Sequence, residues 1–439
     1  MAASALKNMK VLIVGSGGRE HAIIWALRQT SSEPLTLFCA PGNAGIGQNA
    51  EIVPVSAMDL NGLARFAEEK RIDLTFVGPE APLAAGLVDL FEASGLPIVG
   101  PLASAAQLEG SKVFAKSFMA RHNVPTAAFE VAVSPDEAVR ALKSGRFGEP
   151  GSAVVVKADG LAAGKGVVVA RSHHEAEKAI QDLMVDHTAG ADAASRIVLE
   201  EALVGPEASL LLFADGKDYV LMPPARDHKR IGENDTGPNT GGMGTITDSS
   251  ILSASEVNRV VKEIVEPTLL GADREGFPFK GILFLGLMLT GDGPKLLEYN
   301  VRFGDPETQA ILIRLRSDLV SIFDGMRRGT LANLKVDWSG GSSACVVAAS
   351  RGYPGKYDTG DVIEGLNDVG SNVEVFHAGT STSPDGKVIA TGGRVLGITS
   401  AADSLSESLG NCYAALAKIY WTGMQFRRDI GRSAARHHG

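Results

Sequence analysis

Residues 154–169, VVVKADGLAAGKGVVV, constrain this chain more than any other stretch. Val154, Val155 and Val156 form a β-branched run, and a second begins at Val167. Stiff β-branched side chains suit a pleated strand. Between the runs lie Gly160, Gly164 and Gly166. Glycine has no Cβ, so such a turn can take φ > 0 and let a ligand approach the main chain. The pattern predicts strand, glycine turn, strand. Lys157 ends the first strand and Lys165 sits in the turn. Two ammonium groups beside exposed N–H groups suit a polyanion, and the usual intracellular candidate is a nucleoside triphosphate. A plain hairpin with surface lysines accounts for the glycines equally well, so the decision rests on the remaining residues.

Over residues 9–105, short apolar runs alternate with helical patterns, which predicts a doubly wound parallel sheet. KVLIV (10–14) runs into GSGGREH and then a helix. That order places backbone N–H groups at a helix N-terminus, a natural anion site. A dinucleotide fingerprint is incomplete here. Glu20 stands at the third glycine position, and the next strand, LTLFCA, ends in Pro41-Gly42 where a ribose-binding acid is expected. A nicotinamide-dependent oxidoreductase is thereby disfavoured. One phosphate of a smaller ligand, or simple packing of helix on strand, remains open. PGNAGIG (41–47) is a second glycine loop. Glu80 follows the strand at 72–77, at the carboxyl end where open α/β sheets place ligand contacts.

Residues 103–125 read as one helix with Glu109 and Lys112 at its polar end. Beyond the central stretch, Glu200 and Glu201 end one strand and Glu207 begins the next. Strand-end carboxylates with their backbone can recognise a base and ribose hydroxyls, and surface solvation explains any single one as well. Residues 223–244, PPARDHKRIGENDTGPNTGGMG, have no periodicity and read as a long functional loop. Asp227, His228, Lys229 and Arg230 cluster charge there, and Gly241, Gly242 and Gly244 leave backbone donors free. His228 has no partner at metal spacing, which argues against zinc. In KLLEYNVRFGDPET, Glu298, Asn300 and Arg302 are spaced by two and fall on one face of a strand. A carboxylate and an amide oxygen suit Mg²⁺ held partly by nucleotide phosphates. An arginine beyond them could neutralise a transferring phosphoryl group. From Ser342 the runs ACVVAAS, VIEGL, VEVFHAG and GGRVLGITS read as short strands, closed by a helix. Boundaries fall near 105–110 and 331–341, and the basic end, RRDIGRSAARHHG, reads as solvated.

A net charge of −9 argues against non-specific nucleic-acid binding and against a membrane-surface patch. Cys39, Cys345 and Cys412 have no paired spacing, which fits a reducing compartment without disulfides. No apolar run is long enough to span a bilayer. Residues 1–8 lack the apolar core of a secretory signal, and Met9 is an alternative start.

Twelve strings run in family order between about residues 9 and 430: GSGGREHA, PGNAG, VGPEAPL, QLEGSK, VKADGLAAGKGV, DHKR, DTGPNTGGMG, NVRFGDPETQ, GYPG, GDVI, FHAGT and GGRVL. In them the chain resembles the glycinamide ribonucleotide synthetase (phosphoribosylamine–glycine ligase) family of the ATP-grasp superfamily. The resemblance implies a multidomain α/β and α+β protein. Its parts would be an N-terminal doubly wound parallel-sheet substrate domain (1–108), an ATP-grasp domain (109–331) with a lid at about 126–200, and a small β-rich C-terminal domain (332–439). It implies ATP with Mg²⁺ or Mn²⁺ as cofactors, and glycine and 5-phosphoribosylamine as substrates. The activity implied is ligation through glycyl phosphate in purine biosynthesis, by a cytoplasmic monomer with no nucleic-acid or membrane partner.

Residue by residue, the resemblance implies that Lys112, Lys157, Gly164, Lys165, Gly166, Glu200, Glu201 and Glu207 bind ATP. Glu298 and Asn300 would hold the metal, and Arg302 and Asp227 would be catalytic. Gly241 and Gly242 would flank the glycine and acyl phosphate, with Lys229 also on substrate. Three loops would cradle phosphoribosylamine: Gly15, Gly17, Gly18, Arg19 and Glu20; Asn43 and Gly45; and Gly78, Pro79 and Glu80. A biotin-dependent or sister purine carboxylase would share the lysines and Glu298, but not PGNAG, DTGPNTGGMG and RFGDPETQ together. Two departures stand out. After GGMG comes TITDSS (245–250) in place of an aromatic, proline-bearing run such as AYSPAP, and Arg226 replaces a smaller polar residue before DHKR.

Overall fold

In the computed structural model, which describes residues 8–161, 166–188, 190 and 193–432, the first apolar run becomes the middle of a parallel sheet. β1 (Met9–Gly15), β2 (Leu35–Pro41), β3 (Glu51–Ile52), β4 (Leu74–Val77) and β5 (Ile98–Val99) lie in the order β3-β2-β1-β4-β5. Helices α1 (Gly18–Thr30), α2 (Leu60–Lys70), α3 (Glu80–Ala84) and α4 (Leu87–Ala93) connect them. Alternation along β1 sends Val11 and Ile13 into one core with Ile23 and Leu27 of α1. Leu12 and Val14 enter another with Leu63 of α2 and Phe91 of α4. All four strand residues are fully buried. Each such side chain contributes roughly 1.5–3 kcal/mol of transfer free energy, which fixes this strand at the centre. Strand order reverses at β1, so the crevice for ligands lies at the carboxyl ends of β1, β2 and β4.

The single helix expected over 103–125 is two, α5 (Ala103–Gly110) and α6 (Lys112–Arg121). Ser111 breaks them. Its backbone is extended, and its hydroxyl accepts from Phe114 N–H as the cap of α6. A second, antiparallel sheet follows. β6 (Phe129–Ala132), β7 (Val154–Ala158), β8 (Val167–Ala170) and β9 (Ile197–Glu201) take the order β6-β9-β7-β8, with α7 (Pro135–Lys143) and α8 (His173–Met184) on one side. The expected strand–turn–strand is the β7–β8 hairpin, with Lys157 opposite Val167. This sheet has its own core, built from Val154, Val156, Leu142, Ile180 and Leu183 among others.

β9 and β10 (Glu207–Asp215) are consecutive strands, yet they belong to different sheets. β10 opens the largest one. β11 (Tyr219–Leu221) pairs with it, and then come β12 (Ala225–Asp227), the hairpin β13 (Arg230–Gly232) and β14 (Thr236–Asn239), and β15 (Gly244–Thr247). So the stretch 223–244 is not one long loop. Its three- and four-residue strands pair through main-chain groups and are too short to show side-chain alternation. After α9 (Ala254–Val260) and α10 (Glu266–Arg274), β16 (Lys280–Thr290) and β17 (Gly293–Asn300) complete one edge. α11 (Glu307–Leu312) and α12 (Leu319–Arg328) follow.

β18 (Ser342–Ala349), β19 (Glu374–His377), the hairpin β20 (Thr380–Thr382) and β21 (Val388–Ala390), β22 (Arg394–Ala402) and α13 (Leu405–Leu416) make the C-terminal domain. Its sheet is not separate. β18 pairs with β15 from Gly244 opposite Val346 to Thr247 opposite Ser343, giving one sheet in the order β17-β16-β10-β12-β15-β18-β22-β19. VIEGL forms only isolated bridges at Val362 and Glu364. Cys39, Cys345 and Cys412 are buried free thiols. Among the described residues no helix is long and apolar enough to cross a membrane.

Candidate active site

The end of β17 sets the floor of the site. Opposite β16, the register runs Gly286 to Glu298 and then Leu287 to Leu296, so Leu297 is bulged. A bulge turns the strand and re-aims its side chains. The Leu297 carbonyl accepts from Lys157 Nζ at 3.2 Å. Gly286 leaves the space that Glu298 occupies, since a Cβ there would lie 3.2 Å from Glu298 Cγ. Burial pushes the Glu298 carboxyl up, but Lys229, Lys157, Lys112 and Arg302 outweigh it and hold the group below the usual range. All four cations act on this carboxylate through their charge, while their short contacts go elsewhere: Lys157 to Glu200, Lys229 to Glu207, Lys112 to the Gly160 carbonyl and Arg302 to Glu109. Asn300, two residues on, presents Oδ1 and accepts from Arg302 Nη2 at 3.2 Å. Arg302 itself lies just past the strand end.

The lysines come from the second sheet and α6. Lys157 and Glu200 are diagonal neighbours on β7 and β9. Glu200 Oε1 lies 2.9 Å from Lys157 Nζ, and Oε2 lies 3.0 Å from Lys116 Nζ. Glu200 is therefore buried between two lysines, and neither oxygen points to solvent. Glu201 is exposed at the strand end. Glu207, at the start of β10, pairs with Lys229 at 2.8 Å. Lys112 Nζ donates to the Gly160 carbonyl at 3.3 Å. Burial lowers the Lys112 and Lys116 ammonium groups, the latter to about 8. Asp159, in the glycine turn, takes Ser111 Oγ at 2.7 Å and Val113 N–H at 2.8 Å, which ties the turn to the start of α6. Gly166 accepts from Ala158 N–H across the hairpin. Gly164 and Lys165 lie outside the described residues.

Asp227 ends β12 and accepts from His228 N–H at 2.7 Å. Burial and the nearby Glu307 carboxylate push it well above the usual range. Gly242, at φ +110°, packs against it, for a Cβ would sit 2.7 Å from Asp227 Oδ1 and 2.5 Å from Pro306 Cδ. Gly241 donates to Tyr353 Oη at 2.9 Å and its carbonyl accepts from Arg394 Nη1, so the C-terminal domain holds this loop. His228 is buried and structural. Its Nε2 accepts from Gly431 N–H at 3.0 Å, so Nδ1 carries the proton and donates to Gly244 O at 3.0 Å.

Arg302 is the junction of three elements. Its Nη2 lies 2.8 Å from Glu109 Oε1 on α5, and its Nε lies 3.3 Å from Glu80 Oε2 at the start of α3. Glu80 follows Pro79, the residue before the helix. The turn before α1 is arranged differently from the expected free anion site. An anion does sit there, but it belongs to the chain. Glu20 Oε2 takes Gly17 N–H at 2.6 Å, and Asp305 takes Arg19 N–H. A Cβ at Gly15, Gly17 or Gly78 would collide with the Glu20 side chain, and one at Gly18 would strike Gln309. These glycines seat a buried carboxylate. Arg19 is spent on Glu20 and the Phe303 carbonyl.

Asn43 joins the N-terminal loops to the C-terminal domain. Its Nδ2 donates to Ser16 O and His377 O, both at 2.8 Å, and its Oδ1 accepts from Ile46 N–H. Gly45 packs on His21 and His377. An open groove of about 480 Å³ lies beyond, between this loop and Thr380–Thr382, and no charged side chain lines it.

Among the described residues no cluster of three or more His, Cys, Asp and Glu side chains could cage a metal. Glu298 and Asn300 are two hard oxygen donors, which fit Mg²⁺ or Mn²⁺ completed by phosphates and water. Sequence reasoning missed Lys116, Glu307 and Arg394. Lys116 stands four residues after Lys112 on one helix face, a signal available in the sequence. The other two act through neighbours that only folding supplies.

Comparisons with known proteins show the family. The phosphoribosylglycinamide synthetase models match over almost the whole chain: N domain at 9–109, ATP-grasp (A) domain at 110–308 and C domain at 343–433. A phosphoribosylamine–glycine ligase of Xanthomonas axonopodis pv. citri is 46% identical over 432 residues, 98% of this chain and 99% of the relative. One of Vibrio cholerae is 47% identical over 430 residues, 97% and 98% of the two chains. The crystal structure of the Thermotoga maritima phosphoribosylamine–glycine ligase superposes with a TM-score of 0.82 at 33% identity, covering 96% of this chain and all of the other. The biotin carboxylase domain of Hydrogenobacter thermophilus 2-oxoglutarate carboxylase shares the fold, with a TM-score of 0.70 at 17% identity, covering 95% of this chain and 91% of the other.

Proposed function

The chain belongs to the phosphoribosylglycinamide synthetase family, and from that premise we propose how its own residues divide the work. The reaction is ATP-dependent ligation of glycine to 5-phosphoribosylamine, giving glycinamide ribonucleotide, ADP and phosphate, in purine biosynthesis. Glycine carboxylate is a poor electrophile. One of its oxygens attacks the γ-phosphorus of ATP, the bond to the bridging oxygen breaks, and ADP leaves with that electron pair. The phosphoribosylamine nitrogen then attacks the glycyl carbonyl carbon. The C–O bond to phosphate breaks, phosphate leaves with its electron pair, and the nitrogen gives up one proton to it.

The observation that carries the assignment of roles is that Lys112, Lys157, Lys229 and Arg302 lie near enough to Glu298 for their charges together to outweigh its burial. In a site with restricted water, such preplaced charge is worth most where anionic charge develops. Lys112, Lys157 and the turn from Gly160 to Gly166 bind the ATP phosphates. Glu201 and Glu207 take the base and ribose, while Glu200 holds Lys157 in place. Glu298 and Asn300 would hold Mg²⁺ or Mn²⁺, which supplies charge neutralisation on the phosphoryl oxygens. Asp227, with Gly242 packed against it, receives the glycine ammonium, and Lys229 and Arg302 face its carboxyl end. Glu80 and the Gly78–Pro79 turn, with Asn43 nearby, receive the phosphoribosylamine. The domains divide near 108 and 331, residues 126–200 close over ATP, and the enzyme works as a cytoplasmic monomer.

Phosphate release from ATP with Mg²⁺ and glycine, with and without freshly generated phosphoribosylamine, tests this. Release should require both substrates. Glu298→Ala should lose at least about a hundredfold in turnover with an unchanged unfolding midpoint. Near-normal turnover in that variant would remove Glu298 from the metal site.

A further inference from the structure

Arg302 is held by two carboxylates that differ in kind. Glu109 is buried, with a side chain 8% exposed, and both its oxygens are in use. Oε1 meets Arg302 Nη2 at 2.8 Å, and Oε2 accepts from Val301 N–H at 2.7 Å. It grips the guanidinium and the adjacent main chain together. Glu80 is the opposite case. Its side chain is 33% exposed, and its contact with Nε is a 3.3 Å ion pair. Arg302 Nε, itself buried, has no hydrogen-bond acceptor. Glu80 is therefore close enough to cancel charge but not tied.

The charge balance then needs explaining. A guanidinium paired with two carboxylates is a poor ligand for an acyl phosphate, because its own charge is already answered, although Arg19 also acts on both carboxylates. One carboxylate has to leave before Arg302 can serve an anion. Glu109 cannot, since it would abandon a buried N–H and a buried cation together. Glu80 can, because its contact with Nε is poorly aligned and its side chain is a third exposed, so that it gives up little beyond the bond to its own backbone N–H. It also stands just past the strand end where the parallel sheet opens, so a polyhydroxylated amine could take its carboxylate.

We propose that Glu109 is the fixed counterion that positions Arg302, and that Glu80 is an exchangeable one, which the arriving phosphoribosylamine draws off so that the Arg302 charge is left for the anion only when both substrates are present. This rests on the roles proposed above for Arg302 and Glu80. It makes Glu80 more than a substrate contact. The Glu80–Arg302 pair restrains formation of the acyl phosphate until an acceptor for it is bound, and so limits its loss to water.

The test compares phosphate released with glycinamide ribonucleotide formed, using the full-length enzyme with Mg²⁺, ATP and glycine. Glu80→Gln removes the restraining charge and keeps the shape. Glycine-dependent phosphate release without phosphoribosylamine should rise about tenfold, and phosphate should exceed product when both are supplied. Glu109→Gln keeps an acceptor for Val301 N–H. It should lower kcat about tenfold or more with KM for ATP changed less than about twofold, and phosphate should still equal product. An unfolding midpoint for each variant separates loss of fold from loss of position. If Glu80→Gln only raises KM for phosphoribosylamine and release stays coupled, the exchange is wrong. If Arg302→Gln keeps normal turnover, the fault lies instead in the role given to Arg302.

Discussion

Three buried histidines make the protein's acid behaviour predictable. His228 is neutral by its bonding, because its Nε2 is the acceptor for Gly431 N–H. His21 accepts His377 N–H at Nδ1 at 2.9 Å. Burial, with His377 adding to it, lowers His21 to about 3, and burial lowers His377 to about 4. The unfolded chain binds these protons near pH 6.5 and the folded one does not. Stability is then fully present above about pH 6.5 and falls as pH drops toward 4, by about 1.4 kcal/mol per pH unit for each of His21 and His377. Urea midpoints between pH 7 and 4.5 check this, and a flat profile would contradict it. At this scale the sequence made some residues legible and not others. Glu298, Asn300 and Arg302 declare themselves by spacing. Glu200 does not, because its two lysine partners come from β7 and α6, and only the folded chain brings them to it. Glu20 looks like a failed glycine in a nucleotide motif until its carboxylate is found filling the place of the anion.

Elements place these residues, and the β16–β17 pair shows how narrowly. The bulge at Leu297 and the glycine opposite it together aim Glu298. Gly286→Ala should fold normally and push Glu298 aside by a few tenths of an ångström. The Mg²⁺ concentration for half-maximal phosphate release should rise about tenfold, in line with disturbance of a ligand's surroundings. An unchanged Mg²⁺ dependence would show that the strand gives way instead. Long periodic elements were readable, as β1, α8 and β16 show. Two were not. The break at Ser111 hides in a helical pattern because a serine cap needs only one non-helical residue. The strands within 225–247 are invisible because main-chain pairing leaves no trace in three or four side chains.

Among the described residues the strands make sheets of five, four and nine strands and two separate hairpins, and the sequence showed the strands more readily than the limits of the sheets. Periodicity fades over 331–341, which reads as a border, yet β15 and β18 are hydrogen-bonded neighbours across it. The long-range partner of a strand is not written near it. A chain ending at residue 340 should therefore be insoluble rather than a folded two-domain fragment, because β15 would become an open edge. A soluble, monomeric fragment with a cooperative melt would contradict this. The same adjacency has a consequence during synthesis. The ribosome releases β12 and β15 well before β18 exists, so the half-made sheet ends in an unpaired strand until residues 342–349 emerge. At ordinary elongation rates that interval is on the order of ten seconds, long enough for neighbouring nascent chains on one message to meet edge to edge. Slow codons between residues 250 and 340 would lengthen the exposure, and a chaperone would be most useful there, while the chain is still attached.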